Sequence, residues 1–534
     1  MDIILIQSPC WGLYAPPLGL ASLTAFLRSK GLSVAAMDLN IDMFYRCKDT
    51  YKKFWEGAEM EFWHNETLVK RFFLDNYELI DAYLEQICSS DARIIGFSVY
   101  DTSLFLGLFL ARKIKKNCPD KLIIFGGPHC SQYMCRDFIV SQECVDVVIE
   151  GEGEETLFQI ADMVIRGNGL KFCPGALIKR GTEIIDGGER SLIDNLDSLP
   201  FPNFCDYPLG HYIRTNVIPA STSRGCVNRC IFCNEWTYWK RYRYKTGEYI
   251  FREIKHQLSS YPQIKYVEFY DSLCNGNLKE LSILAEFIIK DKLKIRWVGQ
   301  AIINSGMDIE LLSKFRESGC WCLAYGLESG SQRVLDRMRK GFRISDAERV
   351  IRQTYATGID VALNFMFGHP GETEDDFKET LDFISRNRKY INIVNPSPSF
   401  CGIAPGTYLY NHPEEFDIAT PIDNNLFWKS KDNSNNYLAR LDRFERFCDF
   451  VHSLDIKSTY PATTLVNRYR IIGDYYFYIR NYSEALKYYN ASVEKEGENN
   501  KILQLIDNCR QLLKQGSRPN LKTKSLSINL INLI

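Results

Sequence analysis

"SRGCVNRCIFCNEW", residues 223–236, sets Cys226, Cys230 and Cys233 in a C-x3-C-x2-C spacing on a loop that follows an apolar run. A structural zinc site takes four ligands, normally as two separated pairs. No second C-x-x-C or H-x3-H completes such a set, and the nearest histidine, His211, lies fifteen residues before Cys226. Three thiolates match three irons of a cubane iron–sulfur cluster and leave the fourth iron open. An open iron can chelate a second, reactive molecule.

Outward from this loop, strand and helix patterns alternate from about 215 to 400. The strand candidates are 266–271 (YVEFYD), 295–300 (IRWVGQ), 322–329 (CLAYGLES), 361–368 (VALNFMFG) and 391–400 (INIVNPSPSF). Repeated βα units of this length fit a full or partial parallel barrel with its chemistry at the C-terminal strand ends. Upstream, 3–7, 33–39, 93–100, 121–127 and 145–153 are short apolar runs with helical patterns between them. They predict a doubly wound, Rossmann-like parallel sheet. Residues 50–90 read as a helical insertion rich in Phe, Tyr and Trp. Ligands of such sheets bind where loops leave the carboxyl ends of the strands. Those loops are Ser8–Pro17, Ser98–Ser103, Gly126–His129 and Glu150–Glu155. The expected organisation is an α/β domain at 1–155, a connector at 156–210 with a hairpin at 175–188, a barrel at 211–405, and a helical region at 406–534. In that last region Gly473, Tyr476, Ala485 and Tyr489 fall at the spacings of one tetratricopeptide (TPR) helix pair. The last fifteen residues carry no firm pattern.

The chain has 534 residues, 45% hydrophobic and 25% charged, with a formal net charge of −1. That balance gives no electrostatic footprint for nucleic acid or an anionic membrane. The segment 235–245 (EWTYWKRYRYK) interleaves aromatic and basic residues. Its place directly after the cysteines favours cofactor or substrate contacts over RNA stacking. The most apolar stretch, near 94–116, is broken by Asp101 and falls short of the about 20 residues that span a bilayer. The eighteen cysteines are scattered and no secretory signal precedes them, so a cytoplasmic protein with reduced thiols is expected.

The segment from about 215 to 390 resembles a radical S-adenosylmethionine (SAM) domain through 223–233 (SRGCVNRCIFC), 269–272 (FYDS), 324–338 (AYGLESGSQRVLDRM) and 365–377 (FMFGHPGETEDDF). Residues 1–155 resemble the cobalamin-binding domain that precedes such barrels in the cobalamin-dependent radical SAM enzymes. The resemblance implies that Cys226, Cys230 and Cys233 are the catalytic metal ligands of a [4Fe–4S] cluster, flanked by Phe232. Its open iron would bind SAM, whose cleavage yields a 5′-deoxyadenosyl radical. It further implies methyl transfer from cobalamin to an unactivated carbon. The alternatives are radical cyclisation or oxidation, as in anaerobic tetrapyrrole ring formation, and a non-catalytic cobalamin-binding protein. An external electron donor such as flavodoxin or ferredoxin is implied. The substrate, whether lipid, tetrapyrrole, peptide or other natural product, is not legible.

Carried over residue by residue, the resemblance puts Glu328 and Ser329 against SAM, and Tyr270 and Asp271 in the segment that meets its amino group. Gln300 and Asn304 stand where many relatives have arginine. In 368–373 (GHPGET), His369 is expected to be structural and Glu372 to cap the next helix. On the cobalamin side the candidates are Ser98, Thr102, Gly126, Gly127, Gly151 and Glu152, with Trp11 or Leu13 covering the lower face and His129 near the nucleotide tail. The first loop, 8–19 (SPCWGLYAPPLG), holds no histidine. Cobalamin would therefore bind base-off, without a histidine ligand.

Overall fold

The computed structural model describes residues 1–460, 467–497 and 500–514, which fall into two compact units. The first comprises 1–226, 235–299 and 317–319; the second comprises 227–234, 300–316 and the chain from 320 onward.

In the first unit β1 (Ile3–Gln7), β2 (Val34–Asp38), β3 (Ile94–Ser98), β4 (Leu122–Gly126) and β5 (Val147–Ile149) pair in parallel in the order β2-β1-β3-β4-β5. β1 and β5 are buried along their whole length, as a sheet covered on both faces requires. The order reverses between β1 and β3, and loops leave a crevice at such a switch point. β6 (Ala176–Arg180) and β7 (Glu183–Asp186) extend this sheet antiparallel to β5. The hairpin read from sequence as part of a connector thus belongs to the sheet, where it pairs the open edge of β5.

The aromatic insertion folds as short helices between Asp49 and Ser89 around fully buried Trp63, whose ring meets Trp55 at 4.7 Å and Phe72 at 5.0 Å. It is tied to the sheet by Asn40, whose Oδ1 accepts from Trp55 Nε1 (2.7 Å) and from the Trp11 N–H (2.9 Å). Further along the same unit are β8 (Val217–Ala220), β9 (Ser223–Arg224), β10 (Arg243–Tyr244), β11 (Tyr266–Phe269) and β12 (Arg296–Ala301). β11 pairs in parallel with both β8 and β12, while β9 and β10 pair antiparallel with Arg224 opposite Arg243.

In the second unit β13 (Cys320–Glu328), β14 (Asp360–Phe365), β15 (Ile393–Pro396) and β16 (Lys457–Ser458) pair in parallel in that order, with helices between them. The helix Glu374–Asn387 is capped by Thr373 in a capping box with Asp376. Glu372 is therefore not the cap. Its buried carboxylate instead accepts from the Gly368 N–H and lies 3.2 Å from Arg443. Burial pushes it up to about 7 although Arg443 opposes the shift. Beyond β15, Cys401, Ile403, Leu409 and Trp428 form one apolar cluster with Ile231 and Met338. Cys401 is fully buried, and burial pushes its thiol up to about 12, so it serves packing. The helices Arg468–Tyr478 and Tyr482–Glu496 pack as the expected pair. Tyr489 fills the space left by Gly473, where a Cβ would come within 2.5 Å of its ring. Residues 515–534 lie outside the described residues. Among the described residues no helix is long and apolar enough to cross a membrane.

Candidate functional site

The β1/β3 switch point of the first unit opens into a cavity of about 410 Å³. Trp11, from the loop after β1, stacks on Tyr100, from the loop after β3, at 4.0 Å and 20°. Asn40 holds the Trp11 backbone, and the Thr102 hydroxyl donates to the neighbouring Cys10 carbonyl at 2.6 Å. Of the six cobalamin candidates, Ser98, Gly126, Gly127, Gly151 and Glu152 line this cavity. Thr102 does not. Its hydroxyl is spent on bracing the Trp11 loop, a use that sequence alone does not reveal. Trp11 lines the cavity, whereas Leu13 and His129 are outside its lining, which includes no histidine. Tyr238 and Trp239, from the aromatic-basic segment, complete one wall, with the Tyr238 hydroxyl donating to the Gly151 carbonyl at 3.2 Å. A broad aromatic wall with glycine-rich loops at its rim fits a large ligand with a flat face.

Glu152 has a second task. Its carboxylate pairs with Arg224 and with Arg243 (2.8 Å) and accepts from the Ile193 N–H at 2.9 Å, while Glu154 pairs with the other arm of Arg224. Burial alone would raise the Glu152 carboxyl, but the Arg224 guanidinium, with Ile193 and Arg243, holds it below the usual carboxylate range. Two arginines on paired strands are balanced by two glutamates, so this part of the wall is close to neutral. These partners lie about seventy to ninety residues apart in sequence, and no local motif announces them.

Tyr270 and Asp271 line the same cavity. The Tyr270 side chain is exposed, whereas Asp271 is buried and accepts from the Thr222 N–H (3.1 Å), the Thr222 hydroxyl and the Ser223 hydroxyl (2.9 Å). Its carboxylate fastens the strand that leads into the cysteine loop.

In the second unit Glu328 ends β13 at φ +72°, where a register shift between Gly326 and Glu328 interrupts the pairing with β14. A bulge there re-aims a side chain, and a non-glycine residue held in the left-handed region stores backbone strain. The Glu328 carboxylate meets the Lys340 ammonium at 3.3 Å. Ser329 is buried, with its hydroxyl bonded to Thr380 Oγ1 (3.2 Å) and accepting from the Ser331 N–H (3.1 Å), which gives it a scaffold role. Gln300 is exposed and begins a line of side-chain amides: Asn364 donates to Gln300 (3.2 Å) and Asn395 donates to Asn364 (2.9 Å). Asn304 accepts from the Gly306 N–H at 2.9 Å and shapes a turn.

The cysteine loop is held by backbone bonds from Ile231 N–H to Met338 O (3.2 Å) and from Leu409 N–H to Ile231 O (3.1 Å), and Phe232 packs on the apolar cluster beneath. Cys230 and Cys233 share a turn, with the Cys233 N–H on the Cys230 carbonyl at 3.1 Å, and all three motif thiols are half-buried. No three His, Cys, Asp or Glu side chains of the described residues are gathered into a metal-binding group. The ligand assignment therefore rests on the spacing of the three cysteines.

Residues 220–384 match the radical SAM superfamily. That segment is matched as a radical SAM domain, and the chain stands beside radical SAM and methyltransferase-named proteins. Among individual proteins it is similar to an uncharacterized methyltransferase of Pyrococcus horikoshii, 26% identical over 367 residues that span 66% of this chain and 77% of the relative. It is also similar to the anaerobic magnesium-protoporphyrin IX monomethyl ester cyclase of Cereibacter sphaeroides, 23% identical over 334 residues that span 58% of this chain and 54% of the cyclase. Its fold is similar to that of the cobalamin-dependent S-adenosylmethionine radical enzyme OxsB, solved with aqua-cobalamin bound. The TM-score is 0.64 at 18% identity, covering 100% of this chain and 78% of OxsB.

Proposed function

We propose that this enzyme uses SAM, a [4Fe–4S] cluster and base-off cobalamin to methylate an unactivated carbon, within the 1–155, 156–210, 211–405 and 406–534 organisation read from sequence. The observation that carries the cobalamin part is the switch-point cavity, with its Trp11–Tyr100 wall, glycine-lined rim and histidine-free lining. Ser98, Gly126, Gly127 and Gly151 would bring backbone close to the ligand, and Glu152 would hold the Arg224 wall in place. Cys226, Cys230 and Cys233 would hold the cluster, with Phe232 packed beside them. Glu328, aimed by its bulge, would accept from donors of SAM. Tyr270 and Asp271 would meet it through backbone carbonyls, and Gln300 through its amide. When bound, these cofactors supply one-electron cleavage and a methyl carrier; the chain supplies position and exclusion of water. The methyltransferase likeness supports this reading. A low-potential donor such as flavodoxin or ferredoxin would deliver the electron, in the cytoplasm, and the 50–90 insertion, segment 235–245 and the C-terminal region would select the substrate.

Anaerobic purification with cobalamin supplied should give about four irons and one cobalt per chain, with a base-off spectrum and SAM-dependent release of 5′-deoxyadenosine. Cys226→Ala, Cys230→Ala and Cys233→Ala should each lose iron and keep cobalt. Iron without cobalt would sink the methylcobalamin part. The cyclase likeness favours ring formation as a second reading; a product that loses hydrogen and gains no methyl group would select it.

A further inference from the structure

Lys340 is a residue that no sequence motif brought forward. Its side chain is only 6% exposed. Burying an ammonium costs several kcal/mol unless it is paired, so its placement calls for a physical reason.

The backbone of Lys340 is fixed on both sides. Its N–H donates to the Leu335 carbonyl at 3.0 Å, just past the helix Gln332–Met338, and its carbonyl accepts from the Asn228 side chain at 3.2 Å. Asn228 lies within the cysteine loop. The Lys340 ammonium sits 6.0 Å from the centre of the Phe232 ring and 3.3 Å from Glu328 Oε1. Burial lowers its pKa, but Glu328, with Cys230 and Cys233 of the cysteine loop, raises it above the ordinary value. Gly326 leaves the space open around the pair, since a Cβ there would stand 3.0 Å from Glu328 Oε1 and 3.4 Å from Lys340 Nζ. One of the three N–H donors of the ammonium goes to Glu328. Among the described residues the other two have no hydrogen-bond partner, and the ammonium lies beside the loop that carries Cys230 and Cys233.

We propose that Lys340 is the electrostatic positioning residue of the iron–sulfur cluster, its buried ammonium stabilising the thiolate-bound cluster and favouring its reduced state. The assignment rests on the radical SAM reading of Cys230 and Cys233. A cubane held by three thiolates carries net negative charge that grows by one unit on accepting one electron. A fixed cation beside it therefore favours the reduced form more than the oxidised one. Net charge, hydrogen bonds to sulfur and solvent exposure set the potentials of such clusters, and low local dielectric magnifies the effect of a nearby charge. The electron comes from the external low-potential donor, and no bond forms or breaks at Lys340.

The test is a redox titration, followed by the electron paramagnetic resonance signal of the reduced cluster, on the full chain carrying its cluster and without SAM. Lys340→Met and Lys340→Gln should have lower midpoint potentials than wild type, and Lys340→Arg, which keeps the charge, should restore it. If the neutral variants melt like wild type but retain less than half of its iron while Lys340→Arg retains it all, the same role is supported at the level of assembly. A wild-type potential in either neutral variant, or a Lys340→Arg potential as low as that of Lys340→Met, would overturn the assignment. A wild-type chain that takes up no iron overturns the reading of the cysteines itself, so the two failures are separable.

Discussion

Gly127→Ala probes the rim of the switch-point cavity and has a calculable cost. Gly127 adopts φ +108° and ψ 178°, a region open essentially to glycine alone. A Cβ there would stand 2.8 Å from the Val99 carbonyl oxygen and 3.0 Å from the Val99 nitrogen. Neither atom can easily move. The Val99 N–H donates to the Gly126 carbonyl at 2.8 Å, and the Val99 carbonyl accepts from His129 N–H at 3.3 Å. The backbone conformation costs about 1–3 kcal/mol, and displacing Val99 with its bonds adds about 1–2 kcal/mol. The sum is about 2–5 kcal/mol. Gly151, on the next loop, is the matched control: it has φ +78°, but no atom lies within 4 Å of the place a Cβ would take. Gly151→Ala should therefore cost only about 1–2 kcal/mol of left-handed strain. Urea unfolding of the full chain, followed by tryptophan fluorescence, reads both variants. With a slope of about 1–3 kcal/mol per molar urea, Gly127→Ala should lower its midpoint by about 1 M or more and Gly151→Ala by clearly less. Equal shifts, or a Gly127→Ala shift below about 0.3 M, the size of a neutral surface change, would refute the close-approach reasoning.

Three further outcomes follow from buried polar groups. Glu152→Gln removes the carboxylate that both Arg224 and Arg243 face, and should cost about 3–5 kcal/mol of thermal stability, more than Glu154→Gln, which faces Arg224 alone. Asn435→Ala strips the donors from the Gly368 and His369 carbonyls, bonded at 3.0 and 3.2 Å. It should cost about 2–4 kcal/mol and speed amide exchange across 368–373. His369 is fully buried, and burial followed by the nearby Arg337 lowers its pKa to about 3. It stays neutral in the folded chain while the unfolded chain protonates it below its ordinary value of about 6.5. That contribution to stability is present above pH 6.5 and is lost as the pH falls towards 3. Between pH 7 and pH 5 wild type should lose about 2 kcal/mol more than His369→Asn in urea titrations; parallel curves would contradict the assignment.

Much of the site was legible because it is written locally. The C-x3-C-x2-C spacing, the short apolar strands and the glycines at strand ends all lie within a few residues of the feature they specify. Other assignments depended on partners far along the chain. Thr102 sits in the right loop, but its hydroxyl is taken by Cys10. Ser329 follows Glu328, but its hydroxyl serves Thr380 and Ser331. Glu372 stands where a cap belongs, yet Thr373 holds the cap and Glu372 turns to Gly368 and Arg443. A hydroxyl or carboxylate bonds whatever donor or acceptor folding brings near, and spacing carries no record of that competition.

By itself the sequence determined the strand and helix alternation, the switch-point loops and the three-cysteine motif, because hydrophobic periodicity and ligand spacing are properties of neighbouring residues. Only the tertiary structure decided that Trp11 stacks on Tyr100, that Glu152 binds two arginines from a later part of the chain, and that Lys340 lies buried beside Glu328 and the cysteine loop. Each of these unites residues far apart in sequence. The physical reason is that burial removes water from such groups and leaves their pairing to whatever packing sets beside them.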